Sequence, residues 1–429
     1  MNWFKQKGKL VNKAFDSLDN NLDNNLSDEY IREHRILKGK FSHRQWRESQ
    51  NKRTNTTADT QAEDWSITYK GKKYTSPTQE FEFILEDDLI IDEPWFFTGE
   101  PHEGNSPFRA KLFESLILPK CKAIGDTSHM FQFQVDIQYL DISKLDTSES
   151  TDLSNMLQEC SYSGLSIKGL ENIDTSKSVN VENLFDNSNI DNHCPANPYV
   201  YNFGNATNIN GLFANHKGDL NVRRFNFSKA TTAKGLFFNF KGTLDFSTTE
   251  CNLQNVIDFT SAFENANIDI IDFSNDNFII TNVGNEANIK NRYEKMFKST
   301  TATKILLPKI KLGISGYEQV VSDMIYSNHN LIEINFKNAE FDRYFDDIIY
   351  DNPKLTTFSG TIIKINKPFG NINLEDFALT KQSAMLVINA LATITRNASV
   401  IFKKSTYDNL TEVDIAIATS KGWTVSSAS

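Results

Sequence analysis

The chain has 429 residues, of which 39% are apolar and 12% aromatic, and it carries a formal net charge of −10. That composition supports a sizeable core, and four cysteines in this length exclude a disulfide framework. No stretch approaches the ~18 consecutive apolar residues of a membrane-spanning helix.

Charge divides the chain. Residues 1–56 carry 12 Lys+Arg against 7 Asp+Glu, and the remainder carries 33 against 48. Segments of opposite sign argue for two jobs. The acidic larger part argues against a nucleic-acid partner, because phosphate binding needs clustered Lys and Arg.

Residues 3–20 place Trp3, Phe4, Leu10, Val11, Phe15 and Leu18 near one helical face, with Lys5, Lys9 and Lys13 around it. An Asn/Asp-rich break over 19–27 follows, and Ser27-Asp28-Glu29 reads as the N-cap of a helix over 28–38. A basic run then passes through Lys38, Lys40, Arg44, Arg47, Lys52 and Arg53, with Phe41 and Trp46 between the charges. The polar stretch 50–63 is a linker. We read 1–60 as a basic helical docking segment anchored by Trp3, Phe4, Val11, Phe15, Leu18 and Trp46. Its expected partner is a protein assembly, within which the chain is oligomeric; a membrane surface is the other option. Residues 1–9 lack the apolar stretch of a signal peptide. The expectation is therefore synthesis in a cytoplasm, with exit by lysis or as part of a particle.

Residues 61–111 change period. Ile67 and Tyr69 alternate with polar residues, Lys70-Gly71-Lys72 turns, and Tyr74 continues as a hairpin. Phe81, Phe83 and Leu85, then Leu89 to Ile91 and Trp95 to Phe97, suggest further strands. A small β cap here would seal the first repeat, since a terminal repeat must cover an exposed apolar face.

Over 112–403 a tetrad recurs: an apolar residue, Asp or Asn, an apolar residue, then usually Ser. It stands at Leu140-Asp141-Ile142-Ser143, Ile173-Asp174-Thr175-Ser176, Tyr201-Asn202-Phe203-Gly204 and Phe225-Asn226-Phe227-Ser228. Further copies are Leu244-Asp245-Phe246-Ser247, Ile271-Asp272-Phe273-Ser274 and Ile334-Asn335-Phe336-Lys337. A second word is centred on Phe131, Leu157, Phe185, Phe213, Phe237, Phe263, Phe297, Ile325 and Ile349. Its spacings of 26, 28, 28, 24, 26, 34, 28 and 24 residues fit a solenoid of the leucine-rich-repeat kind. Alternate side chains of a strand face opposite ways, so the tetrad's apolar pair points inward and its Asx points out. Stacked copies predict a parallel sheet with one column of Asp141, Asp174, Asn202, Asn226, Asp245, Asp272 and Asn335, about one strand spacing (~5 Å) apart. The second word is expected on a short helix or turn closing the repeat. The expected class is therefore α/β: a leucine-rich-repeat solenoid with a parallel sheet on one side and short helices or turns on the other. An insertion occupies Asn275–Lys290, a helix is predicted over 374–395, and 404–429 reads as a C-terminal cap with a helix over 411–421 and a last strand at Trp423.

Side chains that carry chemistry are scattered. Seven His show no metal spacing, His193-Cys194 is an isolated pair, and Glu86-Asp87-Asp88 with Asp92-Glu93 lacks Ca2+-loop spacing. No cofactor and no metal is expected. A carboxylate ladder could serve glycoside hydrolysis, but a reaction needs one asymmetric constellation, whereas repetition suits broad binding. The Asx column is thus the candidate binding face, for a cell-surface glycan or protein.

The run Leu140 to Ser148 followed by Asn155-Met156-Leu157-Gln158-Glu159-Cys160 resembles the BspA-like leucine-rich repeat, including its variant from Mycoplasma surface lipoproteins. Ile173 to Ser176 with Asn183-Leu184-Phe185 looks like the next copy, and the resemblance covers roughly 112–403. It implies a recognition module of the adhesin type. Related repeats also occur in phages, so the resemblance implies either a virion component, in tail or capsid, or a bacterial surface adhesin or effector.

Overall fold

A strand in a repeat protein has only the next copy of itself to satisfy its backbone, so the first copy needs a different neighbour. In a computed structural model of the chain, the described residues are 27–42, 65–99, 108, 111–162, 164–188, 203–222, 225–245, 252–274, 279–281, 292–312, 321–343, 345–367 and 370–428.

Helix α1 (Asp28–His34) opens on Ser27, whose hydroxyl accepts from the Tyr30 N–H at 3.2 Å. It stops at His34, short of the predicted 38, because Ile36, Leu37 and Phe41 are drawn into strand β1 (Ile36–Phe41) and buried. The hairpin of β2 (Ser66–Tyr69) and β3 (Lys72–Thr75) turns at Lys70-Gly71, both with positive φ. Strand β4 (Glu80–Ile84) follows, then β5 (Ile90–Ile91) and β6 (Phe113–Ile117). β1 lies between β4 and β6, antiparallel to both. An antiparallel strand therefore closes the open edge of the first parallel coil. The fit is close at Gly39, where a Cβ would lie 2.4 Å from the Ser115 carbonyl oxygen.

Beyond β6 the pairing turns parallel. The first corner of each coil is built from β6, β8 (Tyr139–Asp141) and β10 (Ser166–Lys168), in register Leu116↔Leu140↔Ile167. A second corner joins β5, β7 (Cys121–Asp126) and β9 (Leu145–Asp152). The first-corner rows resume in β11 (Leu220–Asn221) and β12 (Leu244–Asp245), then in β13 (Ile270–Asp272); β14 (Ile279–Thr281) pairs separately with β15 (Lys304–Leu312). From β13 the register Ile271↔Ile305↔Ile334↔Phe358 runs through β15 (Lys304–Leu312), β16 (Glu333–Phe341) and β17 (Thr357–Ile365). The whole is a parallel β-solenoid of about 10 turns.

The second word forms tandem turns rather than helix. In Leu153–Cys160, even-numbered N–H groups close local turns, as from Met156 to the Leu153 carbonyl at 3.3 Å. Odd-numbered ones cross to the next coil: Asn155 to Glu182, Leu157 to Leu184 and Glu159 to Asp186, at 2.8–3.0 Å. The third residue of alternate turns has φ near +55°, at Asn155, Asn183, Gly211 and Gly235, and again four residues later. Asn and Gly enter that region at least cost. The rung Trp95-Phe96-Phe97, read from the sequence as strand, is the first of these words, since Phe97 N–H donates to Met130. Inside, the word's central side chains stack. Phe185, Phe213 and Phe237 are at most 2% exposed, with ring centroids 5.7 Å apart and planes within 8°. Each such pair contributes about 0.5–1.5 kcal/mol beyond its burial.

At the C-terminal end real helices replace the word. β18 (Ile372–Leu374), α2 (Lys381–Ala390), β19 (Ala398–Phe402), α3 (Lys404–Tyr407), α4 (Glu412–Ser420) and β20 (Trp423–Ser427) follow in order. The predicted single helix over 374–395 is corrected: Leu374 ends a strand, and α2 starts only after Thr380, which caps it. α4 carries a full capping box between Thr411 and Asp414.

Phe213→Ala should destabilise the chain by about 3–5 kcal/mol, because it empties the middle of a stacked column. Chemical denaturation checks this, and a loss under 1 kcal/mol would contradict the stacked-column packing.

Candidate recognition surface

The seven tetrad Asx residues do not form one column. Asp141 lies in the first-corner row, paired with Lys168 rather than with Asp174. Asp174 belongs to the second corner: its N–H donates to Thr147 Oγ1 at 2.7 Å, and Thr147 returns a bond to the Asp174 carbonyl. Asn226 shares that second corner, since its coil follows on Thr207 through the Thr231 N–H. Asp245, Asp272 and Asn335 lie on first-corner strands. Asn202 lies outside the described residues, as do Trp3, Phe4, Val11, Phe15, Leu18 and Trp46 of the expected anchor.

Nor are the side chains of Asp141, Asp174, Asn226, Asp272 and Asn335 aimed freely at solvent. Asp141 Oδ1 accepts from Ser143 N–H at 3.0 Å and from its hydroxyl at 2.5 Å; Asp174, Asn226 and Asp272 accept from Ser176, Ser228 and Ser274 N–H in the same way. The tetrad is thus a strand ended by an Asx turn, and Ser is its fourth letter because the turn uses its N–H. Asp141 is 8% exposed and also accepts from Lys168 Nζ at 3.0 Å. Burial pushes its carboxyl up, but the Ser143 bonds and Lys168 outweigh that and hold it below 3.8. Asn335 donates to Ser359 Oγ, which donates to Glu333 Oε1.

A different row lies one residue after each buried centre of the turn words: Gln132, Gln158, Asp186, Ala214, Phe238, Glu264, Lys298, Tyr326 and Tyr350, of which Gln132 and Ala214 are buried and the others reach the surface. Trp95 stacks on His129 at 3.6 Å, and His129 Nδ1 is 2.8 Å from Gln132 Oε1. Gln132 donates to Gln158, and Gln158 to Asp186 at 2.8 Å. Beside it, Asn215 donates to Asp186 at 2.9 Å and Asn239 to Asn215 at 2.8 Å. Lys298 pairs with Glu264 at 3.5 Å and sits 5.6 Å over the Tyr326 ring, which stacks on Tyr350 at 4.5 Å. The sequence carried this signal in the residue after each word centre, but without the corner geometry nothing marked that position as outward.

Where the ladder ends, a cleft of about 410 Å³ opens between the last turn words and the segment after β18. Its inner wall holds Asp346, which accepts from Lys367 Nζ at 2.7 and 2.9 Å and from Asn373 N–H at 2.8 Å. Burial pushes the Asp346 carboxyl above its ordinary value against the pull of Lys367. Elsewhere, the acidic stretch after β4 is partly spoken for. Burial pushes the Asp88 carboxyl up, but the Tyr30 hydroxyl and Arg35 at 2.9 Å outweigh it and lower its pKa. Burial raises the thiols of Cys121 and Cys160, the latter to about 12, so neither is a nucleophile at neutral pH. Cys194 and Cys251 lie outside the described residues.

Stacked coils with a repeated outer ladder define a parallel β-solenoid repeat protein. Two overlapping stretches, residues 109–215 and 162–275, match the family model described as Mycoplasma protein of unknown function, DUF285. That is a Mycoplasma/BspA-type repeat family, and the match fits a BspA-like repeat protein. No curated protein and no solved structure matches the chain.

Two outcomes follow. Asp141 is depressed in the folded state, so its contribution is present above the unfolded value of 3.8 and lost as pH falls through the lower folded value. The stability gap between wild type and Asp141→Asn should therefore shrink as pH falls below 3.8, and a pH-independent gap would contradict the ion pair. Gly211→Ala should cost more than Gly235→Ala in the same denaturation assay, although both have φ +57°. A Cβ at 211 meets Asn183 Oδ1 at 2.0 Å, whereas at 235 its nearest contact is at 3.5 Å.

Proposed function

We propose that this is a non-catalytic recognition or structural protein: a repeat solenoid presented from a larger assembly through its basic N-terminal segment. The observation that supports this reading most is the outer ladder, which presents one position in successive coils from Gln158 to Tyr350, interrupted at the buried Ala214. Such a surface suits an extended ligand. A reaction would need dissimilar groups converging on one point. The similarity to a repeat family of unknown function is compatible with that role.

The assembly we propose is a phage virion, in which the chain is a tail or capsid component that binds a host surface or decorates the particle. Two features of the sequence support it: the charge contrast between residues 1–56 and the rest, and the resemblance to repeats that also occur in phages.

The fold supports a docking segment shorter than residues 1–60. α1 and β1 are built into the cap, where Leu37 and Phe41 are fully buried and β1 joins β4 to β6. Removing residues 1–26 should abolish incorporation into the particle, measured by co-sedimentation. Removing 1–60 should lower the unfolding midpoint as well, because it strips β1 from the sheet. Undiminished incorporation without 1–26 would contradict the anchor, and recovery of the full chain on a bacterial envelope would move the assignment to a surface adhesin.

A further inference from the structure

We propose that the cleft at the end of the outer ladder binds an organic cation: a lysine or arginine side chain of a partner, or a free polyamine. The proposal rests on the recognition reading above and names the ligand class of one site within it.

The cleft exists because the ladder stops. Ile325 N–H still finds the next coil at the Ile348 carbonyl, but Ile349 N–H turns back to Asp346. The chain after β18 supplies no further turn word, and instead sets Asp376 and Phe377 across the gap before entering α2. The resulting space falls within the ~300–1,000 Å³ of small-ligand pockets. Val321, Ile348 and Phe377 give it apolar walls, each at most 2% exposed.

Two independent features select a cation. The first is the aromatic stack. Lys298 already lies 5.6 Å over the Tyr326 ring, so the molecule itself places an ammonium at one end of the Tyr326–Tyr350 pair. At the other end Tyr350, 40% exposed, lines the cleft with no next rung beyond it. The second is charge. The nearby cation Lys367 is committed to Asp346 and to Asp347 at 3.4 Å. Among the described residues neither Asp323 nor Asp376 has an ion pair; Asp323 accepts only the Tyr350 hydroxyl. Asp323 also feels the nearby Lys295 ammonium, which leaves Asp376 as the cleft carboxylate without a cation beside it. A carboxylate beside an aromatic ring and apolar walls suits an ammonium or guanidinium on an alkyl stem. Among the described residues no group of three His, Cys, Asp or Glu is placed to hold a metal ion.

The test uses the full chain and calorimetric or NMR titration with three probes: capped lysine amide, spermidine, and N-acetylglucosamine as a neutral control. Wild type should bind at least one cationic probe, with affinity falling as salt rises. Tyr350→Leu and Asp376→Asn should each weaken it about tenfold, while the distant Asp141→Asn leaves it unchanged. Binding of capped lysine alone points to a partner protein and binding of spermidine to a polyamine; both support the site. No cation binding at millimolar probe, binding indifferent to both cleft variants in folded protein, or equal binding of the neutral sugar overturns it. Those failures leave particle incorporation untouched, whereas incorporation without residues 1–26 removes the assembly reading whatever the cleft binds.

Discussion

A backbone N–H in the turn word has two acceptors to choose from, and the chain alternates between them. One goes to a carbonyl three residues back and tightens the corner; the next crosses to the neighbouring coil. From Phe97 to Ile325 the crossing bond at the word's centre recurs in every described coil, at 2.7–3.1 Å. This alternation sets the remaining features. It demands left-handed residues at fixed places, filled by Asn or Gly in four coils and by Trp95, His129, Ser261, Lys295 and Asp323 in the others. It also holds adjacent words at one strand spacing, close enough for buried rings to stack and outer side chains to bond along the column.

A coil of this kind cannot stand alone, because its apolar interior and its crossing N–H groups are satisfied only by neighbours. The two ends solve the problem differently. At the start, antiparallel β1 takes up the open edge, and the close approach of its backbone to Ser115 leaves room only for Gly39. At the finish, α2 and α4 take the place of turn words, with Thr380 and Thr411 capping them. The cleft is a consequence of that substitution: a helix covers the core but does not continue the outer ladder. Regularity gives this molecule its surface, and the interruption of regularity gives it a concavity.

Much of the repeat was legible because stacking imposes the same side chain at the same place. The spacing of Phe185, Phe213, Phe237 and Phe263 reflects a physical column. The tetrad misled for an equally physical reason. Leu140-Asp141-Ile142-Ser143 and Ile173-Asp174-Thr175-Ser176 are the same local solution, a strand end closed by an Asx turn, used at two different corners of the coil. A short word reports its own hydrogen bonds and not its place in the coil, so copies from two corners read as one ladder. The end of α1 is not legible in the sequence, because Ile36 and Leu37 satisfy a helical period while the cap sheet claims them. The cleft left no trace in sequence at all, since Asp323, Tyr350 and Asp376 meet only through the failure of the ladder to continue.

The assignment of the tetrads to two corners can be tested by disulfide trapping in a background lacking Cys194 and Cys251. Aligned residues of neighbouring parallel strands stand about 5 Å apart, within the ~4.4–6.8 Å between Cα atoms that a disulfide spans. Asp141→Cys should cross-link readily with Lys168→Cys, its partner in register, and fail with Asp174→Cys under the same oxidation. Efficient closure of the 141–174 pair, with none at 141–168, would place the tetrads in a single column and contradict the two-corner coil.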